Sequence, residues 1–165
     1  MGWLILFSLI PFLIKLEHIT SLKQLKKRIF YSFFHGFLFA IIFIGFSNLW
    51  IFELIPYSNW VAISCLYIVF TLMQSLYYSL FACVYCGFRF PLFIAPFLWV
   101  IFEWLRGSGL FANTHYNLAY SQVLNGPFLH YASIGGIYLV SFLCVLINIG
   151  IIFWFRSNRS FFKQK

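Results

Sequence analysis

From Ile29 to Phe52 the chain runs without one Asp, Glu, Lys or Arg, and most of its positions there are Phe, Ile, Leu, Gly or Ala. A run of that length is about one helical crossing of a bilayer, which takes roughly 20 apolar residues. A soluble domain can bury such a segment only inside a thick polar shell. Here 63% of the 165 residues are hydrophobic and 8% are charged, against roughly half apolar in soluble domains. There is too little polar surface to coat a globule in water, so a water-soluble monomer is excluded and the solvent is lipid.

The remaining apolar runs follow the same logic. The composition supplies about five crossings and leaves little for an aqueous domain. The first run, Trp3 to Ile14, is short and makes a thin span if extended to Leu16. Lys15 to Arg28 reads as a hydrophilic loop. The second span, Ile29 to Phe52, ends on Trp50, Glu53 and Pro56, an aromatic anchor followed by a charge and a breaker. Trp60 to Cys86 is the third. Leu92 to Leu105 is the fourth, stopped by Gly107 and Gly109. Ser108 to Gly126 is polar without a basic cluster and belongs in a loop or re-entrant piece. Phe128 to Phe155 is the last span. The expectation is an all-α, polytopic transmembrane helical bundle forming a single membrane domain over 1–165.

Charge orients it. Of the 11 Lys and Arg, all but Arg106 fall on one alternating side, in the Lys15–Arg28 loop, at Arg89, or in the tail at Arg156, Arg159, Lys163 and Lys165. The positive-inside rule then places the amino terminus outside and the carboxyl terminus in the cytoplasm. An exported amino terminus without a preceding signal suggests a further span upstream. A net charge of +8 gathered in flanking clusters, with no basic stripe along a face, argues against nucleic acid as a partner. Cys65, Cys83, Cys86 and Cys144 lie inside apolar runs, where a thiol behaves as a small hydrophobe. Cys83-x-x-Cys86 lacks the second ligand pair a metal site needs, so no metal and no cofactor are expected.

Few residues are left to carry chemistry. Glu103 and Arg106, three apart on a helix, share a face and can pair. They read either as an orienting ion pair or as a binding site for a zwitterionic or anionic head group. His115 sits in a polar loop without a nucleophile at recognisable spacing, which favours a backbone-bonded histidine over a general base. His35 and Glu53 flank a span without a chain of partners. Ala132-x-x-x-Gly136, with Gly135 beside it, predicts close helix packing on the last span.

Taken as one string, Trp99 to Asn148 contains Glu103-Trp-Leu-Arg106-Gly107, then Tyr120-Ser121-Gln122, then Gly126-Pro127, then Gly135-Gly136 followed by Ser141-Phe142-Leu143 and Asn148. This resembles the membrane half of apolipoprotein N-acyltransferase. Two departures stand out. Aligned on Tyr120, the family's Gly-Phe-Pro-Trp falls at Ala112-Asn113-Thr114-His115, and its glycine before the tyrosine is Ala119. The resemblance also leaves out the nitrilase-like domain in which that family holds its Cys nucleophile with a Glu and a Lys.

The resemblance implies a bacterial inner-membrane protein that handles phospholipid and apolipoprotein, the acyl chain passing through a thioester to the lipoprotein's amino-terminal cysteine. It implies head-group or domain-seating contacts at Glu103 and Arg106, with Tyr120 and Gln122 beside them. No cysteine here has the cation-rich neighbourhood a thiolate needs, so the chain alone is expected to be silent and to work with a separately encoded nitrilase-like domain. The rival readings are a non-enzymatic membrane subunit, either a small carrier or an assembly partner, and a vestigial fragment.

Overall fold

The computed structural model describes residues 4–108, 112–123 and 125–163, without the side chains of 129 and 159–163. Gly109 and the side chains of Arg159, Lys163 and Lys165 lie outside what is described. The chain is all-α, in the order α1 (Ile5–Ser8), α2 (Ile10–Thr20), α3 (Leu25–Ser47), a 3-10 turn (Leu49–Tyr57), α4 (Trp60–Gly87), a 3-10 turn (Leu92–Ile94), α5 (Ala95–Ser108), a 3-10 turn (Leu118–Gln122) and α6 (Gly126–Lys163). Three helices are long and apolar enough to cross a membrane, at Leu25–Ser47, Trp60–Gly87 and His130–Asn158. The other two expected crossings are shorter pieces. The first is broken between α1 and α2. The second, α5, has 14 residues, or about 21 Å of helix at ~1.5 Å per residue.

The break between α1 and α2 has an identifiable cause. Pro11 cannot donate to the carbonyl of Phe7 and its ring crowds that carbonyl, so a continuous helix is lost there. Asn148 of α6 inserts its amide at the break. Its Oδ1 accepts from the Leu9 N–H at 3.2 Å and its Nδ2 donates to the Ile5 carbonyl at 3.0 Å. These are the two groups that a regular helix would have bonded to each other. Leu9, Phe12, Leu13, Leu16 and Ile19 are all buried, so this opening segment is an inner wall of the bundle.

The expected Lys15–Arg28 loop is largely helix. The 3.6-residue spacing of Leu13, Leu16 and Ile19 carries α2 through to Thr20 while Lys15 and His18 take its exposed face. Only Ser21–Gln24 connects it to α3. Arg28, counted among the loop cations, is buried and donates to the carbonyls of Leu22 and Gly87.

Helices α3 and α4 approach most closely along Ser32, Gly36 and Ala40. A Cβ at Gly36 would stand 2.9 Å from the Ser79 Cα, the Tyr78 carbonyl oxygen and the Ala82 Cβ. Small residues permit this van der Waals contact, the main attraction between helices in lipid. Of the packing expected at Ala132–Gly136, Ala132 is half-buried against the core, whereas the two glycines are not in a close helix contact. Gly135 and Gly136 are exposed. A Cβ at Gly135 would meet only Leu139 of its own helix, and at Gly136 it would meet nothing within 4 Å. Gly136 serves α6 differently: with φ 68° and ψ −170° it kinks the helix in a region that residues with a Cβ rarely adopt.

The core is aromatic. Trp99 lies edge-on to Phe81 with ring centroids 5.2 Å apart, and Phe12 stacks on Phe39 at 4.2 Å. Large apolar side chains such as Phe46, Val61, Ile68, Phe97 and Trp154 cover the outside, as a lipid-facing surface requires.

Candidate functional site

At the end of the bundle reached by the carboxyl termini of α3 and α5, the connection from α5 to α6 folds inward. Glu103 and Arg106 reach this connection from α5, each about 1% exposed. They do not pair with each other. The ion pair found among the described residues joins Arg156 to Glu17. Glu103 Oε1 instead accepts from the Trp99 indole N–H at 2.9 Å and from the Leu118 backbone N–H at 2.9 Å. Arg106 Nη2 donates to Asn117 Oδ1 at 2.6 Å. Its guanidinium carbon lies 5.4 Å from the Tyr78 ring centroid and 5.6 Å from that of Tyr116, so the cation is held between two π faces. The helix spacing puts both side chains on the inner face, as expected, but the connection supplies better partners than they offer one another.

Other helices hold the same connection. Tyr116 donates its hydroxyl to Asn48 Oδ1 at the end of α3, and Asn48 Nδ2 donates to the Thr71 hydroxyl of α4 at 2.8 Å. Burial pushes the Tyr116 phenol above its ordinary pKa. Ser141 of α6 accepts from the Ala119 N–H at 3.1 Å. Irregular backbone buried in protein is tolerated when its polar groups are bonded, and here α3, α4, α5 and α6 all contribute.

A groove of about 530 Å³ opens beside this anchored connection, between Ile5, Phe43 and Trp50 on one side and His115, Asn117 and Tyr120 on the other. A second cavity of about 320 Å³ shares Trp50 and His115 with it and extends over Leu66 and Phe70. Tyr120 is partly exposed at the groove, whereas Gln122 is buried next to it. Gln122 Nε2 donates to the Ser121 hydroxyl and its Oε1 accepts from Asn125. Glu103, Arg106, Tyr120 and Gln122 therefore belong to one region, three buried within its scaffold and Tyr120 at its mouth. His115 is exposed, and its backbone N–H donates to Asn113 Oδ1. His35 bonds the Tyr31 carbonyl of its own helix.

Two of the four thiols lie elsewhere, while Cys65 is exposed on α4 next to Leu66. Cys83 and Cys86 are near the opposite end of α4, where Cys83 donates to the Ile29 carbonyl and Cys86 to that of Leu16. Cys144 is buried in α6. Among the described residues no three His, Cys, Asp or Glu side chains come together. The region around Glu103 can hold a loop and shape an amphipathic groove.

A family model described as the apolipoprotein N-acyltransferase N-terminal domain matches residues 1–150. The chain belongs to this family. No curated protein and no solved structure matches it. Within this apolipoprotein N-acyltransferase membrane domain, the residues that sequence reasoning left without a role are Asn48, Asn117, Ser141 and Asn148. Asn48, Ser141 and Asn148 are polar side chains in or beside apolar helices, and that rarity was the available signal, whereas Asn117 was one polar residue among several. Their partners, 11 to 143 positions away in sequence, could not be read from it.

Proposed function

We propose that this membrane domain admits phospholipid and seats the acyl-transfer chemistry of apolipoprotein N-acyltransferase, a nitrilase-like domain supplying the nucleophile. In this reading the domain crosses the bacterial inner membrane about five times, with the broken α1–α2 segment and the short α5 as its thin crossings. Its amino terminus lies outside and its basic end faces the cytoplasm. The opposite end, with Glu103, Arg106 and the 112–123 connection, then opens onto the face where lipoproteins mature.

The observation that carries this reading is the anchored connection beside an open groove. Glu103 and Arg106 fix 112–123 from beneath. This preorganises a surface that a seated domain can meet without ordering a loop first. The adjoining groove is apolar along Ile5, Phe43 and Trp50 and polar along His115 and Asn117, which suits a lipid with tail and head group. Tyr120 at its mouth is the contact nearest the head group, and Gln122 supports the connection from beneath. A permeation path lined by Glu103 and Arg106 has little support, because both side chains are sealed and bonded to the connection.

The test is complementation. Cells depleted of lipoprotein N-acylation should recover amino-terminal acylation, read by mass spectrometry of a lipoprotein, when this chain is produced together with a nitrilase-like domain. Glu103→Ala should reduce that recovery at least tenfold at equal membrane abundance. No recovery with either chain, together with solute flux in vesicles holding this chain alone, would overturn the proposal in favour of a carrier.

A further inference from the structure

The opposite end of the bundle holds an imbalance that the described residues do not resolve. Arg28 Nη1 and Arg89 Nη2, from the start of α3 and the turn after α4, both donate to the Leu22 carbonyl, each within 3.3 Å of that oxygen. Two guanidinium cations converging on one neutral acceptor repel each other unless an anion lies near. The chain has three acids, Glu17, Glu53 and Glu103. Glu17 is bonded to Arg156 through both oxygens, at 2.9 and 2.5 Å. Glu53 follows the far end of α3 and Glu103 holds the 112–123 connection, so neither is at this end. Lys23, Lys26 and Lys27 stand exposed around the same turn and add charge of the same sign.

Two further observations point to an external anion. Arg28 is 6% exposed, yet its Nε has no acceptor among the described residues, an unusual state for a buried charged donor. Arg89 is the one described non-glycine residue with positive φ, at 54°. That conformation is strained for a residue with a Cβ, and it accompanies a guanidinium fixed to Leu22 that, among the described residues, leaves most of its five donors uncommitted. Arginine's planar fork matches phosphate oxygens, and clustered Lys and Arg at a membrane end attract anionic head groups.

We infer that the turn formed by Leu22, Arg28 and Arg89 is a binding site for the phosphate of an anionic phospholipid in the adjoining leaflet. Arg89 contacts the phosphate directly, Arg28 supports it from behind, and the exposed lysines favour a net-negative head group over a zwitterionic one. This inference is independent of the acyl-transfer reading, since it concerns the other end of the bundle and binding alone.

Native mass spectrometry of the full chain in detergent tests it, with phosphatidylglycerol, phosphatidylcholine and inorganic phosphate as probes. The wild type should retain phosphatidylglycerol at least tenfold better than phosphatidylcholine. Arg89→Gly removes the guanidinium while suiting the positive φ, so it should fold with an unchanged or raised melting temperature and lose that preference. Equal retention of the two lipids by the wild type would overturn the inference, as would undiminished retention by a folded Arg89→Gly. Displacement of the lipid by millimolar inorganic phosphate would assign the site to a free anion and overturn the lipid assignment.

Discussion

Glu103 illustrates how one buried carboxylate organises a polypeptide connection. Its Oε1 takes hydrogen bonds from Trp99 in its own helix and from Leu118 on the far side of the connection, so removing it strands two donors where water is scarce. Leaving a buried donor unsatisfied costs about 1–3 kcal/mol. Glu103→Ala should therefore lower the melting temperature in detergent markedly. Glu103→Gln keeps an amide oxygen in the acceptor position and should lose less than half as much. If both variants melted alike, the charge and not the acceptor would be the important property. Asn148 gives a parallel case. Asn148→Leu leaves the Leu9 N–H and the Ile5 carbonyl without their partner and should cost ~1–2 kcal/mol, read as earlier loss of helicity on thermal denaturation. The type of each of these residues was conspicuous in the sequence, as a polar side chain among apolar ones. Its partner was not, because hydrogen bonding at such distances depends on how helices from remote segments are brought together.

Packing of α3 on α4 rests on the absence of side chains. Gly36→Leu must push apart backbone atoms that a single Cβ already meets at 2.9 Å. Overpacking of this kind costs roughly 1–3 kcal/mol or more, and the variant is expected to lose its cooperative unfolding transition. Gly136→Leu meets no such obstacle, since nothing lies within 4 Å. Its cost is the backbone strain at φ 68° and ψ −170°, a region held almost by glycine alone, about 1–3 kcal/mol, and it should straighten or shift the kink in α6 rather than unfold the bundle. Comparing the two variants by thermal melting separates a packing glycine from a hinge glycine. The motif at Ala132–Gly136 has the spacing of the first kind. Which helix face meets a neighbour is a tertiary property, and here that face belongs to Gly36.

Across the whole molecule the two ends differ in charge. One carries Lys15, Lys23, Lys26, Lys27, Arg28, Arg89 and Arg156. The other carries Glu103, Arg106 and the anchored connection. This asymmetry predicts that a membrane-impermeant thiol reagent added to intact cells modifies a His115→Cys variant and spares Lys26→Cys, in a background without the native thiols. The reverse pattern would invert the orientation and turn the groove to the cytoplasm.

Solvent and helix placement were determined by the sequence alone, because long charge-free runs have one stable state in lipid: a helix that bonds its own backbone. α4 matches its run almost end to end, and the string from Trp99 to Asn148 already pointed to the family. Helix length in the remaining runs was less legible. The split of α1 from α2 at Pro11 and the reach of α2 past Lys15 have local causes in the chain, but the Asn148 amide that bridges the break comes from α6. Tertiary structure alone decided that Glu103 and Arg106 turn away from each other toward Leu118 and Asn117, and that Arg28 is buried against Leu22 and Gly87. A hydrogen-bonding group takes the best partner that packing brings within about 3 Å, and residue spacing along a chain does not specify what packing will bring.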